Sequence, residues 1–207
     1  MDARIVRTRE ALIQAIDQSL RGDTEKLPTI TELCATAGIS RPTFYQHFRD
    51  VPSLVAAAGV DELQQLFDGV SRELPHGETW EQAARPVIRE LIQRLFDAGP
   101  YYRRVLEESD THAFQERVVE YLAERMIAFT PLGDAARAGA DRAHLERTAT
   151  FLAAGATWLV VAWLKEGASS SSVPAAADEV SQLLVTSIAV QTRADRAVAA
   201  TQQGIRQ

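Results

Sequence analysis

A short run of side chains that bind polar groups stands out in the N-terminal quarter of the chain. Residues 41–47 read RPTFYQH and carry guanidinium, hydroxyl, amide and imidazole groups, which contact base edges and phosphates in protein–DNA complexes. Phe44 and Phe48 lie four residues apart, so in a helix both can pack inward. The side chains left to point outward are those of Arg41, Thr43, Tyr45, Gln46 and His47. A helix of this size fits the major groove of duplex DNA, so the pattern predicts a DNA-reading helix.

Capping signals place this helix after a second short helix and a tight turn. Thr29 and Glu32 form a T-x-x-E capping box, which begins the preceding helix. Gly38 tolerates the positive φ that a sharp turn needs, and Ser40 is a second N-cap with Pro42 in the first turn. The stretch from 29 to 48 therefore predicts a helix-turn-helix. Taken alone, the turn also fits an ordinary corner between two helices of an all-α domain.

The residues of this stretch resemble one known family. The sequence A-G-I-S-R-P-T-F-Y-Q-H-F is similar to the helix-turn-helix of TetR-family (tetracycline-repressor-like) transcriptional regulators, whose usual run is A-G-V-S-x-x-T-x-Y-x-H-F. The resemblance extends over residues 5–55, about a quarter of the chain, and includes T-R-E-A-L-I-Q-A-I at 8–16. It implies a homodimeric regulator in the cytoplasm that binds a palindromic DNA operator and is released as a repressor by a small-molecule effector.

The resemblance also implies a role for each polar position. Residues near the bases would be Arg41, Pro42 and Thr43, and residues on phosphates would be Thr29, Ser40, Tyr45, Gln46 and His47. One position departs from the family, which commonly has a phosphate-binding Lys where this chain has Val51. Arg49, or the free N–H groups at the start of the next helix, are the candidate substitutes for that contact.

Composition is typical of a helical protein in a reducing compartment. Of 207 residues, 46% are hydrophobic and 24% are charged, and segments with strand periodicity are lacking. The single cysteine, Cys34, cannot form an internal disulfide, and the N-terminus lacks the apolar core of a signal peptide, so we expect a cytoplasmic protein. The net charge of −6 is uneven, because residues 1–49 carry a balance of +1 and the remainder −7. The slightly basic segment is the one predicted to bind DNA.

Helical spacing predicts the rest of an all-α, two-domain fold. Residues 1–49 form a three-helix DNA-binding domain that begins with a helix at 4–20, and residues 50–207 form a larger effector-binding and dimerisation domain. A linking helix is predicted from Asp50 to about residue 74. Further helices are predicted at 79–97, 101–107, 111–129, 141–165 and 174–191. A loop is predicted at 131–140, because the segment is rich in Gly and Ala.

Two groups of residues in the larger domain are functional candidates. Aromatic residues that either line an effector pocket or form plain core are Trp80, Phe96, Tyr101, Tyr102, Phe114 and Tyr121. The last two long helices are apolar enough to pair with a second copy, and the resemblance implies such a four-helix interface. Candidate interface residues are Trp158, Trp163, Leu183, Leu184 and Ile188.

The sequence lacks the motifs of common catalytic and metal sites. It contains no Gly-rich phosphate loop, no G-x-S-x-G, no C-x-x-C and no H-E-x-x-H, and its histidines lack ligand-spaced partners. We therefore predict a regulator that is not an enzyme, has no metal or cofactor and does not bind membranes. The alternatives are a co-activator that no longer reads DNA, and a helical bundle that binds a small molecule.

Overall fold

The computed structural model describes residues 3–22, 26–70 and 79–205, with side chains up to residue 194. In these ranges the chain forms ten α-helices and no strand, which confirms the predicted all-α class. The helices are α1 (Ala3–Arg21), α2 (Ile30–Ala37), α3 (Arg41–His47), α4 (Val51–Asp68), α5 (Trp80–Asp97), α6 (Gly99–Glu108), α7 (Thr111–Phe129), α8 (Pro131–Arg137), α9 (Arg142–Lys165) and α10 (Val173–Ile205). They divide into two compact units. The first comprises Met1–Phe67 and Ala98–Arg117, and the second comprises Asp68–Asp97 and Val118–Gln207.

The first unit is built around the apolar side of α1. Leu12 and Ile16 of α1 are fully buried, as are Leu33 of α2 and Phe44 of α3. Contacts join α1 to α2, α2 to α3, and α1 to α6. Arg104 of α6 donates hydrogen bonds from Nη1 to the carbonyl oxygens of Ser19 and Gly22, at 2.8 and 2.7 Å. These bonds satisfy carbonyl groups that the end of α1 leaves without helical partners.

A close approach explains why α6 and the start of α7 belong to the first unit rather than to the second. A Cβ atom added to Gly59 of α4 would lie 2.7 Å from Val105 of α6 and 2.9 Å from Phe114 of α7. Those distances are too short for a real carbon–carbon contact, so only glycine permits these three helices to pack this closely. Helix α7 then continues to Phe129, and its C-terminal part belongs to the second unit.

The second unit has two apolar clusters. One includes Leu132 of α8, Leu145 and Ala149 of α9 and Ile188 of α10, all fully buried. The other joins Ile92 of α5 to the buried face of α10. Helix α10 contacts α5, α8 and α9 and is therefore the central element of this unit.

Three predicted boundaries differ from the structure. The prediction of a loop at 131–140 is wrong, because Pro131–Arg137 forms α8, capped by the Thr130 hydroxyl with Pro131 in its first turn. Helix α4 ends at Asp68, earlier than predicted, and residues 71–74 of the predicted helix lie outside the described residues. Helix α10 continues to Ile205, whereas the prediction gave an end at about 191 and left a helical continuation open.

A substitution at Gly38 tests the turn between α2 and α3. Its φ is +66° and nothing lies within 4 Å of an added Cβ, so alanine would be strained by the backbone alone. We expect Gly38→Ala to lower the free energy of unfolding by about 1 kcal/mol, and Gly38→Asn to lower it less, because Asn tolerates the left-handed region. Urea denaturation gives the order. An alanine variant as stable as the wild type would contradict this account of the turn.

Candidate nucleic-acid interface

The ends of α2 and α3 are fixed by hydrogen bonds between residues close in sequence. The Thr29 hydroxyl accepts a bond from the Glu32 N–H at 3.3 Å, and the Glu32 carboxylate accepts one from the Thr29 N–H at 2.7 Å. At the other end of α2, the N–H of Ile39 donates to Cys34 at 3.0 Å across the Gly38 turn. The Ser40 hydroxyl then caps α3 by accepting the Thr43 N–H at 3.3 Å. Both predicted N-caps are therefore present.

The orientation of α3 follows from two buried phenylalanines. Phe44 has no exposed surface and Phe48 is 6% exposed, and their ring centroids lie 6.1 Å apart. The guanidinium of Arg9, from α1, lies over the Phe48 ring at 5.7 Å. Since the period of a helix is 3.6 residues, burying positions 44 and 48 turns positions 42 and 46 to solvent and leaves position 45 at the margin. Arg41 lies on the side of Phe44 but is exposed at the first position of α3.

The predicted DNA contacts lie on that outward surface. Tyr45 is 52% exposed although its ring packs edge-on against Phe44, at 5.6 Å between centroids. The other exposed members are Thr29, Ser40, Arg41, Pro42 and Gln46, and Thr43 and His47 are half-buried. The structure therefore brings all eight residues to the surface of one helix-turn-helix, with Thr29 at the start of α2 and the others around α3.

Three of these hydroxyl groups already have partners within the motif. Thr29 donates to the Glu32 carboxylate at 2.8 Å, and the Ser40 and Thr43 hydroxyls lie 2.8 Å apart. The bonds from Thr29 also hold the pKa of the Glu32 carboxyl below its usual range, so this partner stays ionised near neutral pH. To donate to a phosphate, Thr29 would have to exchange this bond. Arg41 and Tyr45 are thus the more direct candidates for donors to DNA.

The N-terminal arginines separate into two kinds. Arg4 and Arg7 are exposed on the first turns of α1. Arg9 is half-buried against Phe48, and burial, followed by the neighbouring Arg117, lowers its pKa. Arg9 is therefore in part a packing residue, whereas the side chains of Arg4 and Arg7 are exposed.

The six aromatic pocket candidates divide between the two units. Tyr101, Tyr102 and Phe114 are buried in the first unit, where the two tyrosine rings pack edge-to-face at 5.4 Å. Burial raises the pKa of both tyrosines, so they remain neutral. Trp80, Phe96 and Tyr121 lie in the second unit, where Trp80 and Phe96 pack against different apolar clusters. The six residues therefore do not form one group within a single unit.

The interface candidates have very different exposure. Trp158 and Leu183 are 70% and 51% exposed. Trp163 instead packs near Phe96, with its Nε1 donating to the Ser172 hydroxyl at 2.9 Å. Leu184 is half-buried against both clusters. Ile188 is only 1% exposed, because its side chain is buried in the core of its own chain. Its prediction as an interface residue is therefore corrected.

Two exposed apolar residues of α9 and α10 were missed by sequence reasoning. Phe151 is 77% exposed and lies seven residues before Trp158, and Val190 is 62% exposed and lies seven residues after Leu183. Seven residues make about two helical turns, so each pair shares one side of its helix. The signal was present in this spacing. Phe151 also borders an open depression of about 500 Å³ on α9, lined further by Ala143, Glu146, Arg147 and Thr150.

Comparisons with known proteins bear on the fold. No protein-family model matches the sequence, and no curated protein matches it significantly. Among solved structures, a chain from Mesorhizobium loti assigned to the TetR family of transcriptional regulators is similar, with 21% identity, 91% of this chain and 98% of that chain covered, and a TM-score of 0.54. The dihydroxyacetone kinase operon activator DhaS is also similar, with 14% identity, 88% and 97% coverage and a TM-score of 0.52. The chain therefore has the all-α fold of TetR-like transcriptional regulators.

Proposed function

We propose that this protein is a homodimeric DNA-binding transcriptional regulator that inserts α3 into the major groove of an operator. The observation that supports this most strongly is the outward surface of α3. Arg41, Tyr45 and Gln46 are exposed on a helix whose other side is fixed by the fully buried Phe44. A helix needed only for packing has no use for this set of exposed donors, whereas a recognition helix does.

Dimerisation is the second part of the proposal. Phe151 and Trp158 of α9 and Leu183 and Val190 of α10 leave large apolar surfaces in water, and α9 and α10 contact each other. A second copy related by a two-fold axis would cover both helices with the same two helices, as a four-helix interface. Two copies also supply the second recognition helix that a palindromic site requires.

A membrane is the other environment that would cover such surfaces. Arg142–Lys165 and Val173–Ala194 are long and apolar enough to cross a bilayer, with mean hydropathies of 1.3 and 1.2. However, Leu145, Ala149 and Ile188 of these helices are already buried in the second unit. The exposed side also carries polar residues, since Glu146 and Arg147 lie one turn before Phe151. A polar margin beside an apolar centre is typical of a protein interface, so we favour a second copy, in a cytoplasmic protein.

Control by a small molecule completes the proposal. We infer that the dimer represses transcription at its operator and that an effector bound by the helical body favours a form with lower DNA affinity. By linkage, operator DNA must then weaken effector binding by the same factor. The sign of regulation is open to a direct test, since the similar protein DhaS is named an operon activator. A reporter gene fused to the selected operator gives the sign.

Selection of bound fragments from the genome that encodes the chain tests DNA binding. The proposal predicts enrichment of a two-fold symmetric sequence and an affinity that falls steeply with salt. Binding without sequence preference would contradict it. Capture of a partner protein by a chain that shifts no DNA would support the co-activator alternative, and a purified chain carrying a metabolite without any DNA affinity would support the small-molecule bundle.

Two substitutions on α3 test the assigned contacts. Tyr45→Phe removes one exposed hydroxyl, and we expect it to weaken binding to the selected duplex by about tenfold. Arg41→Ala should weaken it by roughly 1–3 kcal/mol, because a base-contacting arginine is lost. Fluorescence anisotropy gives the affinities, and circular dichroism checks folding. The control is Arg137→Ala on α8, another exposed arginine, which should leave affinity unchanged. Unchanged affinity in both α3 variants would remove the assigned roles.

A charge on the exposed side of α9 tests the dimer. Trp158→Glu would bury a carboxylate against the partner, and we expect the protein to become monomeric with its helical content retained. Light scattering after size-exclusion chromatography measures the change. Phe129→Glu is the matched control, since Phe129 is 48% exposed on α7 and is not part of the proposed interface. A wild-type protein that is monomeric at all concentrations, or a dimeric Trp158→Glu variant, would contradict this interface.

A further inference from the structure

The segment between α3 and α4 carries a single positive charge. Arg49 follows Phe48, whose N–H closes α3 by donating to Phe44 at 2.9 Å, and it is the only Lys or Arg between positions 42 and 71. Its side chain is 75% exposed. Because Phe48 is buried, the backbone that carries Arg49 is fixed beside the recognition helix. A phosphate that lies against the segment between α3 and α4 therefore meets Arg49 as the one Lys or Arg that this segment supplies.

The N-terminus of α4, which follows this segment, has few groups that could bind such a phosphate. The carboxylate of Asp50 accepts the N–H of Ser53 at 2.8 Å, and the Ser53 hydroxyl accepts the N–H of Asp50 at 3.2 Å. The start of α4 is therefore capped by its own negative charge, which occupies the position that a phosphate would take at a helix N-terminus. Arg49 and the N–H groups at the start of α4 were the two candidate substitutes for the lysine that the family has at the Val51 position. Because the start of α4 is already capped, Arg49 is the remaining candidate.

Two carboxylates compete for the Arg49 guanidinium in the first unit. Its Nε donates to Asp50 at 2.9 Å, and its Nη2 lies 3.9 Å from the Asp110 carboxylate. At 3.9 Å the second contact is electrostatic rather than a hydrogen bond, so the Nη donors facing Asp110 can still reach an incoming oxygen. Asp110 itself is held in place at the start of α7, where its carboxylate accepts the N–H of Ala113 and its backbone carbonyl accepts the N–H of Phe114.

We propose that Arg49 binds a phosphate of the operator backbone and that Asp110 competes with that phosphate, limiting the affinity of the protein for DNA. This inference rests on the DNA-binding function proposed above. Binding of DNA places a phosphate on the guanidinium and brings its negative charge near Asp110, so the aspartate opposes the complex but not the free protein. A phosphate contact of this kind acts on all sequences alike.

Variants at Arg49 give the first half of the test. The probes are the duplex most enriched in genomic selection and a scrambled duplex of the same length. We expect Arg49→Gln to weaken binding to both by a similar factor and to reduce the slope of log affinity against log salt by about 0.9 per copy. Arg49→Lys keeps the charge and should keep most of the slope. An unchanged slope in Arg49→Gln would overturn the proposal.

The variant Asp110→Asn gives the second half of the test. It removes the charge but retains an oxygen to cap α7. We expect Asp110→Asn to tighten binding to both duplexes by roughly two- to fivefold, as is typical for an exposed charge pair. The gain should vanish in the Arg49→Gln background. The control is Asp178→Asn, because Asp178 pairs with Arg89 in a similar exposed bridge of the second unit.

The outcomes separate this inference from the proposed function. A gain from Asp110→Asn that persists without Arg49, or an equal gain from Asp178→Asn, would show a general charge effect and overturn the inference alone. A wild-type protein that binds neither duplex in a salt-dependent way would overturn both. Selective binding by the wild type, with the slope lost in Arg49→Gln and the gain confined to proteins that retain Arg49, supports the proposal.

Discussion

Burial of Phe44 is the interaction on which the candidate site depends. Its ring is inaccessible to solvent and contacts both Tyr45 and Phe48, so α3 has a fixed rotation about its own axis. A helix of seven residues is too short to be stable alone, and it is held by this core contact together with the Ser40 cap and the Gly38 turn. If Phe44 were exposed, the same polar residues would be present without a common direction.

Local hydrogen bonding explains which parts of the motif could be predicted from sequence. Thr29 and Ser40 were predicted as N-caps from residues within three positions of each, and the structure has both. Such bonds depend on nearby side chains only, so sequence spacing is sufficient evidence for them. The same holds for the outward direction of Pro42 and Gln46, which follows from helical periodicity once Phe44 is taken as buried. Arg41 lies three residues before Phe44 and is exposed at the first position of α3.

Tertiary contacts explain what could not be predicted. Gly133 was taken as a sign of a loop, yet it lies in α8, where an added Cβ would collide with the carbonyl oxygen of Ile127. The need for glycine at position 133 is therefore explained by close packing rather than by a turn. Ile188 and Trp158 are both large and apolar on long helices, yet one is buried and the other exposed. Which side of a helix meets its own chain depends on distant elements, and a single sequence does not contain that information directly.

The two compact units place more of the chain with the helix-turn-helix than the predicted three-helix domain of residues 1–49. Gly59 permits α4 to approach α6 and α7, and Arg104 ties α6 to the end of α1. Three helices form only a small hydrophobic core, and these additional helices increase the surface that the first unit buries. Since α7 begins in the first unit and ends in the second, it is a direct covalent connection between the two units.

The central claim is that two copies present their α3 helices to neighbouring turns of one DNA duplex. Hydroxyl-radical footprinting of the selected operator, combined with the mass of the complex in solution, measures this most directly. The account predicts two chains per operator, with protected half-sites whose centres are about one helical turn, or roughly 10 base pairs, apart. One chain per duplex, or protection that does not change when the operator sequence is scrambled, would contradict it.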